Sequence, residues 1–242
     1  MYNLIKSEQL KQKNTSVYKM LFLIPLICML LGMLFMGFTY VQQSSYNWWY
    51  MTFLPFMLVY EAADLLHSEK KYNYHGLFAI VEKKENLWYA KIIIGGCYLF
   101  FANIIFFILN TIFGIPGGMK ISLMDNLAAD FVLSITMFWQ IPLFMYICKK
   151  TNLFITIFLG LACNIFFSST YALTKLWWIP FAIPARLMCP VVKIFPNGLL
   201  IEKKDAMLSS GCILPGCLIS IGCFVFFSIV TAQLFAKQEV KS

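Results

Sequence analysis

The chain reads as long apolar runs separated by short charged clusters. A helix needs about 20 apolar residues to cross a hydrocarbon core of roughly 30 Å. Six runs meet that requirement, at about 20–41, 48–66, 89–113, 127–147, 153–173 and 207–235. Ahead of the first lies the polar segment MYNLIKSEQLKQKNTSVY. Leu4, Ile5, Leu10 and Val17 mark a weak helical stripe in it, with Lys6, Lys11 and Lys13 alongside. This predicts an interfacial helix leading into the first span, or else a frayed terminus. Gln42 to Asn47 read as a polar link between the first two spans, and the pair Trp48–Trp49 as an interface anchor. The turn Gly114-Ile115-Pro116-Gly117-Gly118 ends the third span, and Lys149-Lys150 end the fourth. Residues 174–206 hold Pro180, Pro184, Pro190 and Pro196 and predict short broken helices at the membrane edge. Pro215 predicts a bend in the last span. The first run is too long for a signal-peptide core and lacks a small-residue cleavage pattern at its end.

Composition strengthens the membrane reading. Hydrophobic residues make up 60% of the chain and charged residues 12%, against about 45–50% and a quarter in soluble domains. Such a surface has too few polar groups to face water and suits lipid. The expected fold is an all-α integral membrane domain over residues 1–242. It has six transmembrane helices, an N-terminal interfacial helix, a cytoplasmic coupling helix between spans two and three, and a broken outer segment before span six. The formal net charge is +8, but its Lys and Arg sit in short clusters between apolar runs and form no extended basic face. This excludes a nucleic-acid partner. With six spans, 13 of the 19 Lys and Arg fall on the side of the two termini. The positive-inside rule then places both termini in the cytoplasm.

The chemistry the chain lacks narrows its function. Eight Cys are present, but no CxxC or Cys/His spacing suggests zinc or a disulfide framework. They read as packing residues. The nearest approach to a phosphate-binding loop, Gly114 to Lys120, lacks the adjacent Gly-Lys. There are two His, no HExxH and no GxSxG. No catalytic, cofactor or metal residue is therefore expected in this chain.

Polar residues inside spans are few. Glu61 and Asp64 lie three apart near the inner end of span two, either bonded to the neighbouring surface helix or solvated at headgroup depth, and are read as structural charges. Asp130, near the outer end of span four, is either a contact for a cationic substrate or a solvated helix end. Asn103, Asn110, Gln140 and Asn164 read as interhelical hydrogen-bonding groups. The densest charged stretch is 67–88, where Ser68-Glu69-Lys70-Lys71 and Glu82-Lys83-Lys84-Glu85 flank Leu77-Phe78-Ala79-Ile80-Val81. It is either an amphipathic surface helix able to dock into a separate ATPase or an ordinary solvated loop. Its candidate coupling residues are Glu69, Lys70, Lys71, Tyr72, Tyr74, His75, Gly76, Leu77 and Phe78.

Several short segments, in order along nearly the whole chain, add a resemblance. They are MYNLIKSE at the start, Trp48 with Leu54-Pro55, Ser68-Glu69-Lys70-Lys71, Trp88-Tyr89-Ala90-Lys91, Lys175-Leu176-Trp177-Trp178, Pro184-Ala185-Arg186-Leu187, Cys189-Pro190 and Phe195-Pro196-Asn197-Gly198. With them the chain resembles type-2 ABC exporter permeases, and more specifically the permease subunits of lantibiotic self-immunity transporters. That resemblance implies a bacterial plasma membrane protein that pairs with a second, related permease chain. Two copies of an ABC ATPase would bind ATP and Mg below them, and a lantibiotic peptide would be removed from the producer's membrane. It points to the outer segment for the substrate path, with Asp130, Trp177, Trp178 and Asn197 as candidates. Arg186 would repel a cationic peptide and is read as a structural charge among lipid headgroups. Two alternatives remain: a membrane sensor that binds the peptide without pumping it, and an exporter of another hydrophobic or lipid-linked substrate.

Overall fold

The computed structural model describes residues 1–13, 15–71, 83–202 and 205–237, with side chains for all of these except 67–71. The described chain is almost wholly helical. In chain order the helices are α1 (Tyr2–Gln12), α2 (Val17–Trp48), a π-helical turn (Trp49–Phe53), α3 (Leu54–Lys71), α4 (Lys84–Gly114), α5 (Leu123–Met137), α6 (Gln140–Lys150), α7 (Leu153–Tyr171), α8 (Ile183–Val192) and α9 (Ile213–Ala236). Short 3-10 turns at Ala206–Leu208 and Ser210–Cys212 lead into α9.

Four helical stretches are long and apolar enough to cross a membrane: Val17–Leu66, Lys84–Gly114, Leu153–Tyr171 and Ser210–Ala236. The pair α5 and α6, bent by 45°, adds a fifth if the two are taken together. Outward-facing side chains along these helices are large and apolar, as with Phe154 at 81% exposure and Leu214 at 70%. Apolar surface bared on this scale marks a membrane protein.

The first stretch is not one rod. Fifty residues of straight helix would reach about 75 Å. Gly37 breaks it, with φ 63° and ψ 178°, a conformation open in practice only to glycine. The chain then doubles back on itself. Cys28 Sγ lies 3.4 Å from the Ser45 carbonyl oxygen, Phe35 stacks on Trp48, and Ser16 hydrogen-bonds to Tyr60. Residues 17–36 and 38–66 are thus the two arms of a helical hairpin. Gln42 to Asn47, expected as a polar link, are helical, and Gln42 to Tyr46 are buried inside the returning arm. The anchor expected at Trp48–Trp49 also fails for its second member. Trp49 is fully buried, stacked on Phe106 at 4.6 Å. The π turn that follows has a cause in Pro55, which has no N–H to give residue 51 and whose ring crowds that carbonyl. A widened turn, closed by Leu54 N–H on the Trp49 carbonyl, relieves the crowding.

The fourth expected span divides in two. Pro142 has no N–H to bond Phe138, and the helix breaks at Phe138–Trp139. Buried Trp139 fills the elbow between Phe181 and Phe227. Pro215, expected to bend the last span, sits in the first turn of α9, where a missing N–H costs no intrahelical bond. The segment 174–206 contains α8, whose residues are nearly all buried. It is a packed inner helix and not a loose edge.

At the opposite end, α1 departs most from expectation. Its apolar Leu10 faces outward, and its buried residues are Glu8 and Gln12. Glu8 is held by fully buried Lys91, whose Nζ donates to Glu8 Oε2 at 2.6 Å and to the Leu65 carbonyl at 2.7 Å. Lys11 also pairs with Glu8. The lysine at the start of α4 thereby clamps α1 and the end of the hairpin to one point. α4 begins at Lys84, so Trp88 belongs to that helix and not to a loop. It is buried, donating to Thr231 Oγ1 at 2.9 Å and stacking on Phe235.

Replacing Lys91 by Met removes the buried partner of Glu8 and leaves it, among the described residues, only the part-exposed Lys11. It should lower stability by less than the roughly 3–5 kcal/mol of a fully stranded buried charge, while Lys91→Met combined with Glu8→Gln should recover most of that loss. Thermal unfolding of both variants in detergent checks this.

Candidate functional site

The returning arm presents a polar face to its neighbours. Gln42 Nε2 donates to the Asn110 carbonyl at 3.3 Å, Asn110 Nδ2 donates to the Gln42 carbonyl at 3.2 Å, and Ile121 N–H donates to Gln42 Oε1 at 3.0 Å. One turn on, the Tyr46 hydroxyl donates to Asn126, whose Nδ2 donates to Thr111 Oγ1. A further turn on, Trp49 Nε1 donates to Asn103 Oδ1 at 2.9 Å, and Asn103 Nδ2 donates to Ser134 Oγ at 2.9 Å. Gln42, Tyr46 and Trp49 follow at helical spacing on one face, so the arm is bonded rung by rung to α4 and α5. A separate pair, Gln140 with Asn164, joins α6 to α7 through two amide bonds.

Another face of the same arm lines an open pocket of about 620 Å³. Met36, Tyr40, Ser44, Asn47 and Trp48 form one wall, and Asn197, Gly198, Leu199 and Leu200 the other. Tyr40, Ser44, Asn47 and Trp48 stand at i, i+4, i+7 and i+8, a single helical stripe. The second wall is a short hairpin whose strands meet at Ile194 and Leu200. Its turn follows from Phe195-Pro196-Asn197-Gly198. Proline presets the second position of the turn, and glycine takes the left-handed φ of 83° at its end. Gly198 N–H donates to the Phe195 carbonyl, Phe195 N–H to the Leu199 carbonyl, and Leu199 N–H to Asn197 Oδ1. Asn47 Nδ2 donates to the Pro196 carbonyl and to the Tyr50 hydroxyl, tying the two walls together.

The expected site residues scatter around this pocket. Asn197 lines it; Asp130, Trp177 and Trp178 are not among its lining residues. Asp130 is buried on α5, and among the described residues its carboxylate oxygens have no hydrogen-bond partner. Trp177 packs half-buried against the cluster of Ile183, Leu187 and Cys212, while Trp178 is exposed. Arg186 is buried and donates to the Met207 carbonyl at 3.0 Å. Glu61 is buried, and its carboxylate has no hydrogen-bond partner among the described residues. Asp64 is half-buried one turn further on. Glu69, Lys70 and Lys71 continue α3 as helix. Tyr72, Tyr74, His75, Gly76, Leu77 and Phe78 lie outside the described residues.

The pocket residues Met36, Tyr40, Ser44 and Asn47 escaped sequence reading because Ser44 and Asn47 fell in the supposed link. The available signal was a hydroxyl, an amide and an indole repeating at helical spacing. Among the described residues no group of three or more His, Cys, Asp or Glu could hold a metal ion. The eight cysteines are all free thiols. No protein-family model, curated protein or solved structure matches the chain.

Gly198→Val should strain the turn by about 1–3 kcal/mol and loosen the hairpin locally. Faster tryptic cleavage after Lys193 in micelles, with the melting of the helices little changed, is the expected result.

Proposed function

We propose that this chain is the permease subunit of an ATP-driven exporter of the type-2 ABC class, and that it removes a lantibiotic peptide from the membrane of the producing cell. The observation that carries this reading is the pocket of about 620 Å³ in the side of the helical bundle, rimmed by exposed Met36, Leu199 and Leu200. A peptide dissolved in the lipid can reach such an opening sideways, without first passing through water.

The hairpin supports a topology of six crossings. Its two arms count as two, α4 as the third, the bent pair α5–α6 as the fourth, α7 as the fifth and α9 as the sixth. An even number puts both termini on one side, and the lysine bias makes that side the cytoplasm. ATP and Mg would be bound by two copies of a separate ATPase, and a second, related permease chain would complete the pathway. α3 runs as continuous helix to Lys71, and Lys91 ties the Leu65 carbonyl to Glu8. Motion delivered near Glu69, Lys70 and Lys71 would therefore pass up a stiff element toward Trp48 and the pocket.

Co-expression with the ATPase and permease encoded beside it tests this. The expected outcome is a detergent-stable complex whose ATP hydrolysis responds to a lantibiotic. Reversing the charges at Glu69, Lys70 and Lys71 should leave the complex inserted but uncouple hydrolysis from the peptide. A chain that purifies without any ATPase under every condition would overturn the exporter reading and favour a peptide-binding membrane protein.

A further inference from the structure

The chemistry of the pocket specifies what enters it, and the argument here rests on the peptide-exporter reading. Among the described residues no charged side chain lines the pocket. The nearest cation in the hairpin, Lys193, is paired with Asp125 at 3.0 Å. A phospholipid phosphate or a cationic side chain would find no counter-charge among the described residues that line it, and desolvating a charge without one is costly.

What the pocket does offer is a matched set of hydrogen-bonding atoms. The orientation of Asn197 is fixed, because its Oδ1 accepts from Leu199 N–H. That leaves its Nδ2 as a donor with no partner among the described residues. The orientation of Asn47 is fixed as well, because its Nδ2 donates to the Pro196 carbonyl. Its Oδ1 remains an acceptor with no partner among the described residues, on a residue that lines the pocket. The Ser44 hydroxyl also lacks a partner among the described residues and serves either way. One donor, one acceptor and one adaptable hydroxyl complement a peptide unit, which has one N–H and one C=O. An acyl chain would leave all three unpaired, a loss that sites built this way reject strongly.

We infer that the pocket binds an uncharged stretch of peptide, with an apolar side chain against Tyr40, Trp48 and Leu199 and a backbone amide held by Asn47, Asn197 and Ser44. The recognised feature of the substrate is thus its neutral, apolar portion, and its positive charge stays outside. The volume suits a ligand of a few residues.

The probe is a dye-labelled neutral cyclic hexapeptide of Phe, Leu and Gly, titrated against the full chain in lipid nanodiscs by fluorescence anisotropy. Its twin, N-methylated at every amide, keeps the side chains but loses the donors. Saturable binding of the first is expected, with the twin at least roughly tenfold weaker. A capped oligolysine should not compete. Ser44→Ala and Asn197→Asp should each weaken binding by roughly three- to tenfold. Asn197→Asp keeps the oxygen that Leu199 needs, so the turn survives, and an unchanged melting midpoint would confirm that. Equal binding of the twin would show that the pocket reads apolar bulk alone, as a lipid-chain site would, and would overturn the proposal. Competition by oligolysine, or no binding of the neutral peptide, would overturn it too. If the ATPase complex still assembles in those cases, the exporter reading survives the loss of this one. If the neutral peptide binds but no ATPase ever associates, the pocket stands and the exporter reading falls.

Discussion

Inside a bilayer there is no water to satisfy an amide, so each polar side chain there must find its partner within the protein. The ladder from Gln42–Asn110 through Tyr46–Asn126 to Trp49–Asn103 meets that demand, and the rest of the structure is arranged around it. Each rung contributes little, on the order of 0.6–1 kcal/mol for such bonds in membranes. Their collective effect is register. Rotating the arm by one residue, about 100°, would strand every rung at once. Because the arm is fixed in rotation, its other stripe, from Tyr40 to Trp48, has to face the hairpin of residues 193–201.

The two ends of the bundle solve the problem of buried polarity differently. At the end carrying α1 the solution is ionic, with Lys91 gathering Glu8 and the Leu65 carbonyl. A charge pair of this kind adds little net stability compared with apolar packing, but it tolerates no loss of one partner. At the end carrying the Gly37 turn, the bonded groups of the ladder are neutral amides and hydroxyls, so the loss of one partner strands no charge.

Much of the architecture could be read from sequence, because hydrophobic run length reports directly on membrane crossing. The run at 153–173 matches α7 to two residues, and the run at 89–113 lies inside α4, which begins five residues earlier at Lys84. Reading failed where polarity was taken as a sign of exposure. Gln42 to Asn47 looked like a link because they are polar, yet their polarity is what bonds the arm to its neighbours. In the sequence Lys91 counts only toward the charge bias and Glu8 only as part of the interfacial segment, although each is the other's partner across 83 residues. A single sequence shows that a group is polar but not which distant group completes it. Asn197, Trp177 and Trp178 were chosen together by their place in the segment before the last span, and Asp130 by its place near a helix end; of the four, Asn197 lines the pocket between the arm and the hairpin. Pro142, Pro55 and Gly37 each announced a break in principle, but helical sequences contain many such residues, and only packing decides which of them bends the chain.

The π turn at Trp49–Phe53 has a further consequence. By taking one extra residue into a single turn, it offsets the angular phase of everything after it relative to everything before. The ladder and the pocket stripe are written in one phase, and Tyr60, Glu61 and Asp64 in another. Deleting a single residue within the turn would return it to α-helix and leave both faces where they now point, because the bulge already absorbs that residue.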